Sequence, residues 1–131
     1  MQLLNLLQSN LINCLRSLLT EELTGVYSFV PFDAKYPFVR IAEIELTPWR
    51  QAGQPAFITE NNVSIYTNDK SNKKILEITY KVQERLLADN FNNEFYTLIK
   101  RSIEELNIKQ TADLRVWQSE IKVINWVVQN V

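Results

Sequence analysis

PFVRIAEIELT, residues 37–47, alternates apolar and polar side chains with a period of two. Phe38, Ala42, Ile44 and Leu46 interleave with Ile41, Glu43, Glu45 and Thr47. Successive residues of a strand point to opposite faces, so this pattern predicts a strand over 38–47 with its carboxylates turned away from an apolar face. The segment from Pro48 to Pro55 then brings both prolines together with Gly53, Trp49, Arg50 and Gln51, a composition that predicts a turn or long hairpin loop. A further strand follows, with Phe57, Thr59, Val63 and Ile65 on one face and Glu60, Asn62 and Ser64 on the other, stopping at the turn formers Asn68 and Asp69. Upstream, Val26, Tyr27, Phe29 and Val30 follow Gly25 and suit a pleated surface until Pro31 ends the ladder, which predicts a short strand.

Helical spacing flanks these strands. Leu4, Leu7, Leu11, Cys14 and Leu18 recur at steps of three and four, widened by Leu3, Ile12, Leu15 and Leu19, and predict an amphipathic helix over 2–20. The stripe is too broad and too short for a two-stranded coiled coil, so the helix is expected to pack on the sheet. Ser71 or Asn72 can cap a second helix over 72–89, whose apolar positions are Ile75, Ile78, Val82 and Leu86. Glu77 and Lys81 form a pair four residues apart that marks its exposed face. Periodicity leaves 96–108 open, since Leu98, Ile99, Ile103 and Leu106 suit a helix while Tyr96, Leu98 and Ile108 suit a sheet edge. At the C-terminal end, Leu114 and Val116 lead to Ile121, Val123 and Val127 against Ile124, Trp126 and Val128. That density predicts a long strand covered on both faces, or a tight strand pair.

The fold class is therefore α+β: a mainly antiparallel twisted sheet of about four to five strands with two helices packed on it, in the order helix, strands, helix, strands. At 131 residues and 46% apolar content the chain suits one domain over 1–131, with a core that needs neither disulfides nor a structural metal. The single cysteine, Cys14, has no intrachain partner and lies among leucines, the setting of a buried inert thiol. The leucine-rich start has no preceding Lys or Arg and is interrupted by Asn5, Gln8, Ser9, Asn10, Asn13 and Arg16, unlike a signal peptide. Charges recur too often for a membrane-spanning helix, and a soluble protein is expected.

Little in the sequence points to catalysis. With no histidine, the commonest general base and zinc ligand is missing. The two glycines, Gly25 and Gly53, cannot build a phosphate-cradling loop, so no nucleotide cofactor is expected. Glu43 and Glu45 lie on one strand face about 7 Å apart, a spacing open to a carboxylate or cation site but first of all that of a solvated face. Asp69 lacks the glycine and the closing glutamate of a calcium loop. The 14 basic and 15 acidic residues nearly cancel, and Lys73, Lys74, Lys100 and Arg101 are too mixed with acids to predict tight nucleic-acid binding. The unusual feature is aromatic loading outside the helices, at Tyr27, Phe29, Phe32, Tyr36, Phe38, Trp49, Phe57 and Trp117. Aromatic residues and arginine concentrate at protein interfaces, which makes Trp49, Arg50 and Gln51, with Tyr36 and Phe32, the candidate interface residues.

The stretch VPFDAKYPFV, residues 30–39, resembles tail-completion or tail-terminator proteins of long-tailed phages. The element order also resembles theirs: a leading helix, a Val-Pro segment, an aromatic-Pro strand start, a loop with Trp49, a strand, the turn from Tyr66 to Lys70, a helix and closing strands. The chain lacks the glycines that members often carry in the turns around the second helix and before the last strand. The resemblance implies a structural subunit that forms a ring, commonly of six copies, closing the tail tube and joining it to the head connector. Its partners would be itself, the tail-tube protein and the head-connector protein. Its place would be a virion, prophage or gene-transfer particle assembled in the bacterial host cytoplasm, and it would be no enzyme, with no cofactor, metal, membrane or tight nucleic-acid partner. The resemblance also favours a strand for much of 96–108. Two alternatives stand beside it: a small protein-binding or chaperone-like α+β dimer, and a carboxylate enzyme using Glu43 and Glu45.

Overall fold

A computed structural model describes residues 2–19, 23–51, 53–111 and 115–130, with the side chains of Gln2, Glu43, Arg50 and Gln51 outside the described set. The elements are α1 (Gln2–Arg16), β1 (Gly25–Tyr27), β2 (Phe38–Gln51), β3 (Gln54–Thr67), α2 (Lys73–Ala88), β4 (Tyr96–Gln110) and β5 (Trp117–Gln129). The strands form one five-stranded sheet in the order β1-β2-β3-β5-β4. Only the β1–β2 pair is parallel. The fold is thus α+β with a mostly antiparallel sheet. An isolated bridge between Asn92 and Thr97 makes six extended segments with the five strands, more than the four to five expected.

A bulge organises β2. Its register with β3 runs from Phe38↔Tyr66 to Ile41↔Val63, slips, and resumes at Ile44↔Asn61. Unbroken alternation would place Phe38, Ala42, Ile44 and Leu46 on one face. The slip instead turns Val39 and Ile41, then Ile44 and Leu46, to the helix-covered side, and leaves Phe38, Arg40, Glu45 and Thr47 on the other.

The loop expected over 48–55 is two strands meeting at a tight turn. Gln51 pairs with Gln54 at the end of the hairpin, where Gly53 supplies the left-handed conformation with φ 78°. From that closing pair, hydrogen-bonded and non-hydrogen-bonded pairs alternate, and Arg50↔Pro55 and Pro48↔Phe57 fall on the non-hydrogen-bonded ones. Each proline nitrogen therefore points off the β2–β3 ladder. On β2 it points to an open edge, because β1 ends at Tyr27, opposite Arg40; on β3 it points beyond the β5 ladder, which begins at Ala56. Proline is tolerated at such positions, and its loop signal is overridden by register.

Residues 96–110 form the edge strand β4, which bulges between Leu98 and Lys100 and again between Ile103 and Glu105. Two interruptions of the period of two explain why spacing alone fits a helix equally well. In β5, Ser119, Ile121, Val123, Asn125 and Val127 are buried while Gln118, Glu120, Lys122, Ile124 and Trp126 are half-exposed. Only one face of the sheet is covered by helices, contrary to the two-sided coverage expected; Leu114 lies outside the described residues. The predicted first helix ends early, at Arg16, and the second runs over Lys73–Ala88 as placed.

The helices bury the core on one sheet face. One cluster joins Leu11, Cys14 and Leu15 of α1, Ile75, Ile78, Val82 and Leu86 of α2, and Val39, Ile41, Val63, Ile65, Ile121 and Val123. A second joins Leu3, Leu7, Phe91, Tyr96 and Val127. Each fully buried Leu, Ile or Val contributes about 1.5–3 kcal/mol by leaving water.

Candidate functional site

An arm and a groove stand side by side on the β2 edge. Beyond Tyr27 the chain leaves β2 near the bulge and returns at Pro37. The base of this arm is pinned by Thr24, whose amide donates to the Pro37 carbonyl at 2.8 Å and whose hydroxyl donates to the carbonyls of Lys35 and Pro37. The Tyr36–Pro37 peptide is cis. At the tip, the Ala34 amide donates to the Pro31 carbonyl at 3.1 Å and closes a tight turn with Phe32 and Asp33 at its centre. Phe29 is 86% and Phe32 fully exposed, the two most exposed large apolar side chains described.

Where the arm splays away, it leaves a groove of about 520 Å³ lined by Leu4, Asn5 and Gln8 of α1, Ser28 and Phe29 of the arm, and Arg40, Ile41 and Ile44 of β2. Gln8 bridges its floor, donating to the Ile41 carbonyl at 3.3 Å. Arg40 is exposed at the groove and makes no ion pair among the described residues.

The uncovered sheet face is banded. Near the hairpin, register brings Trp49, Ala56 and Val128 into one row and Thr47, Ile58, Trp126 and Lys100 into the next, with the Lys100 ammonium 4.9 Å above the Trp126 ring. In the middle, Glu45 lies opposite Glu60, and Lys122 Nζ lies 3.1 Å from Glu60 and 3.5 Å from Glu105. The hydrogen bond to Glu60 and the Glu105 charge raise the Lys122 pKa above 10.5. At the far end Phe38 stacks on Tyr66 at 5.0 Å, with Tyr36 at 5.3 Å and Tyr27 at 6.1 Å from Phe38.

On the covered face a polar layer lies between the two apolar clusters. The Arg101 guanidinium donates to Asn125 at 2.6 Å, Asp89 at 3.1 Å, the Leu86 carbonyl at 3.2 Å and Asn10 at 3.3 Å. Asn125 in turn donates to Thr59 at 3.2 Å. A cation on a carbonyl in the last turn of α2 also complements the helix dipole. Beside this layer, the buried Cys14 thiol donates to the Arg85 carbonyl, and burial, then the Asp89 charge, pushes its pKa up to about 11.

The five residues singled out in the sequence do not converge. Phe32 and Tyr36 belong to the arm, whereas Trp49 is half-buried near the hairpin tip, roughly 35 Å along β2 from Phe38. The backbones of Arg50 and Gln51 pair within the hairpin, and their side chains lie outside the described set, as does that of Glu43. The groove went unseen because it depends on a bulge and a diverging arm. The arm shows in the sequence through Phe29, Phe32 and Tyr36 beside Pro31 and Pro37. Among the described residues no group of three metal-ligating side chains converges, and no helix is long and apolar enough to cross a membrane.

These elements define an α+β fold of one mostly antiparallel sheet with both helices on one side. The fold is similar to that of a chain in the virion of a native gene transfer agent particle: the TM-score is 0.76, the identity 14%, and 95% of each chain is covered. No protein-family model and no curated protein sequence matches the chain.

Proposed function

We propose that this chain is a structural subunit of a phage-like particle, which associates with its own copies into a ring that closes the tail tube and joins it to the head connector. The observation that carries this reading is the fold likeness to a gene transfer agent virion chain over nearly the full length of both. The motif over residues 30–39 agrees with it. Function then resides in surfaces, with no catalytic step, and the particle is assembled in the host cytoplasm. Exposed aromatic residues on a pinned arm and an open edge on β2 supply distinct surfaces, as cyclic association requires. The hairpin end with Trp49 is the second contact, toward a neighbouring subunit or the tail tube.

Light scattering over a concentration series, with electron microscopy of the same samples, tests the ring. A closed ring, commonly of six copies, is expected, and a two-fold dimer at every concentration would overturn it. Trp49→Ala is expected to keep the fold and weaken assembly, and unchanged assembly would remove that contact. With a net charge of −1, duplex DNA is expected to bind negligibly even at low salt. A second reading, a protein-binding or chaperone-like dimer, is favoured by the open outer edge of β4, which offers unpaired backbone groups to another strand.

A further inference from the structure

We infer that the arm of one copy seats in the groove of another, with Phe32 entering between α1 and the β2 edge and Asp33 meeting Arg40. This inference rests on the self-association proposed above and names the contact that makes it.

A fully exposed phenylalanine is costly in water, yet the tight turn from Pro31 to Ala34 holds Phe32 at the tip of an arm tied down at its base by Thr24. A side chain presented in this way loses little further freedom on binding, which is how interface anchors keep their affinity. The groove offers what such an anchor needs: apolar walls from the half-buried Leu4 and Ile44, and open access. Charge sets the occupant. Asp33 adjoins Phe32 at the turn centre, and among the described residues the one charged side chain lining the groove is Arg40, which has no ion-pair partner among them. A second copy of the same chain therefore brings both an apolar ring for the walls and a carboxylate for Arg40. Arm and groove are different surfaces, so the contact can repeat from copy to copy until it closes.

The test is sedimentation velocity of the full chain over a concentration series, for wild type, Phe32→Ala, Asp33→Arg, Arg40→Glu and the double variant Asp33→Arg with Arg40→Glu. All three positions are exposed, so folding is preserved, which circular dichroism verifies. Phe32→Ala is expected to raise the protein concentration needed for assembly at least about 30-fold, and each charge reversal about tenfold. The decisive sample is an equimolar mixture of Asp33→Arg and Arg40→Glu chains. Each alone sets like charges against each other, whereas alternating copies pair the two introduced charges in one contact and the native Asp33 with the native Arg40 in the next.

Recovery of assembly in the mixture and in the double variant is the expected result. Charge reversals without effect, losses that the mixture does not recover, or a wild-type chain that stays monomeric at every concentration would each overturn the inference. A wild-type ring indifferent to these variants removes the arm contact and leaves the ring. A two-fold dimer showing the recovery removes the ring and keeps the arm.

Discussion

The two faces of the sheet are built from the same strands and solve different problems. The covered face carries two apolar clusters and, between them, the layer of Arg101, Asp89, Asn125, Thr59 and Asn10, where a charge has been taken out of water and given four acceptors. The bare face carries charge as well, but Lys122 stays at the surface between Glu60 and Glu105, and its apolar side chains collect at the two ends. Similar pairs therefore carry very different energetic weight on the two faces, because solvent screens one and not the other.

Arg101→Ala breaks the covered face at its most sensitive point. The arginine side chain is 3% and the Asp89 side chain 13% exposed, so removal strands a carboxylate and two amide oxygens, while the Leu86 carbonyl keeps the Asp89 amide. The expected loss is about 3–5 kcal/mol, read from urea unfolding midpoints. A loss below about 1 kcal/mol would mean that water reaches the layer.

Next in size is the reactivity of Cys14, on the same face. With its pKa pushed from 9.0 to about 11, the native thiol carries about 100-fold less thiolate at pH 8 than an unperturbed one. Thiol-reagent labelling is expected to be slower by at least that factor in the native protein and to become fast in denaturant. The same shift has a stability consequence. The folded state holds this proton more tightly, so the contribution is complete below pH 9 and is lost as pH rises through about 11. Equal labelling rates in native and unfolded protein would place the thiol at the surface.

How much of each face was legible in the sequence follows from the same contrast. The helix stripes and the apolar rows of β3 and β5 could be read, because burial against one neighbour imposes a fixed period on Leu7, Leu11, Ile78, Val82, Val63 and Ile121. The bulges of β2 and β4 could not, since one extra residue reverses the faces without changing composition. The prolines at 48 and 55 misled in the other direction: their meaning depends on which way each nitrogen points, and that is set by the pairing of Gln51 with Gln54. Of the candidate interface, the aromatic types at Phe32 and Tyr36 were visible. The groove and the Arg101 layer were not, because they join residues as distant in sequence as Asn10 and Arg101.

A smaller effect of opposite sign is expected at Asn61, which faces Val123 and Ile44 in the covered rows and whose amide has no hydrogen-bond partner among the described residues. An unpaired buried amide costs about 1–3 kcal/mol in desolvation, so Asn61→Val, similar in volume and suited to a strand, is expected to raise stability by about 1 kcal/mol. A fall in the unfolding midpoint would show that the amide is paired in solution.

The smallest effect belongs to the bare face. Lys122→Ala removes both surface ion pairs and leaves Glu60 opposite Glu45, yet solvent already screens all three groups. The expected change in unfolding midpoint at neutral pH is a slight loss that vanishes at high salt. Its pH dependence has a definite sign. The Lys122 pKa is raised above 10.5 in the folded state, so what the pair contributes is complete below that pH and disappears as pH climbs past it. If Lys122→Ala instead cost as much as Arg101→Ala and did so at high salt, the middle of the bare face would be a dry surface, and the contrast between the faces would fail where a neighbouring copy covers it.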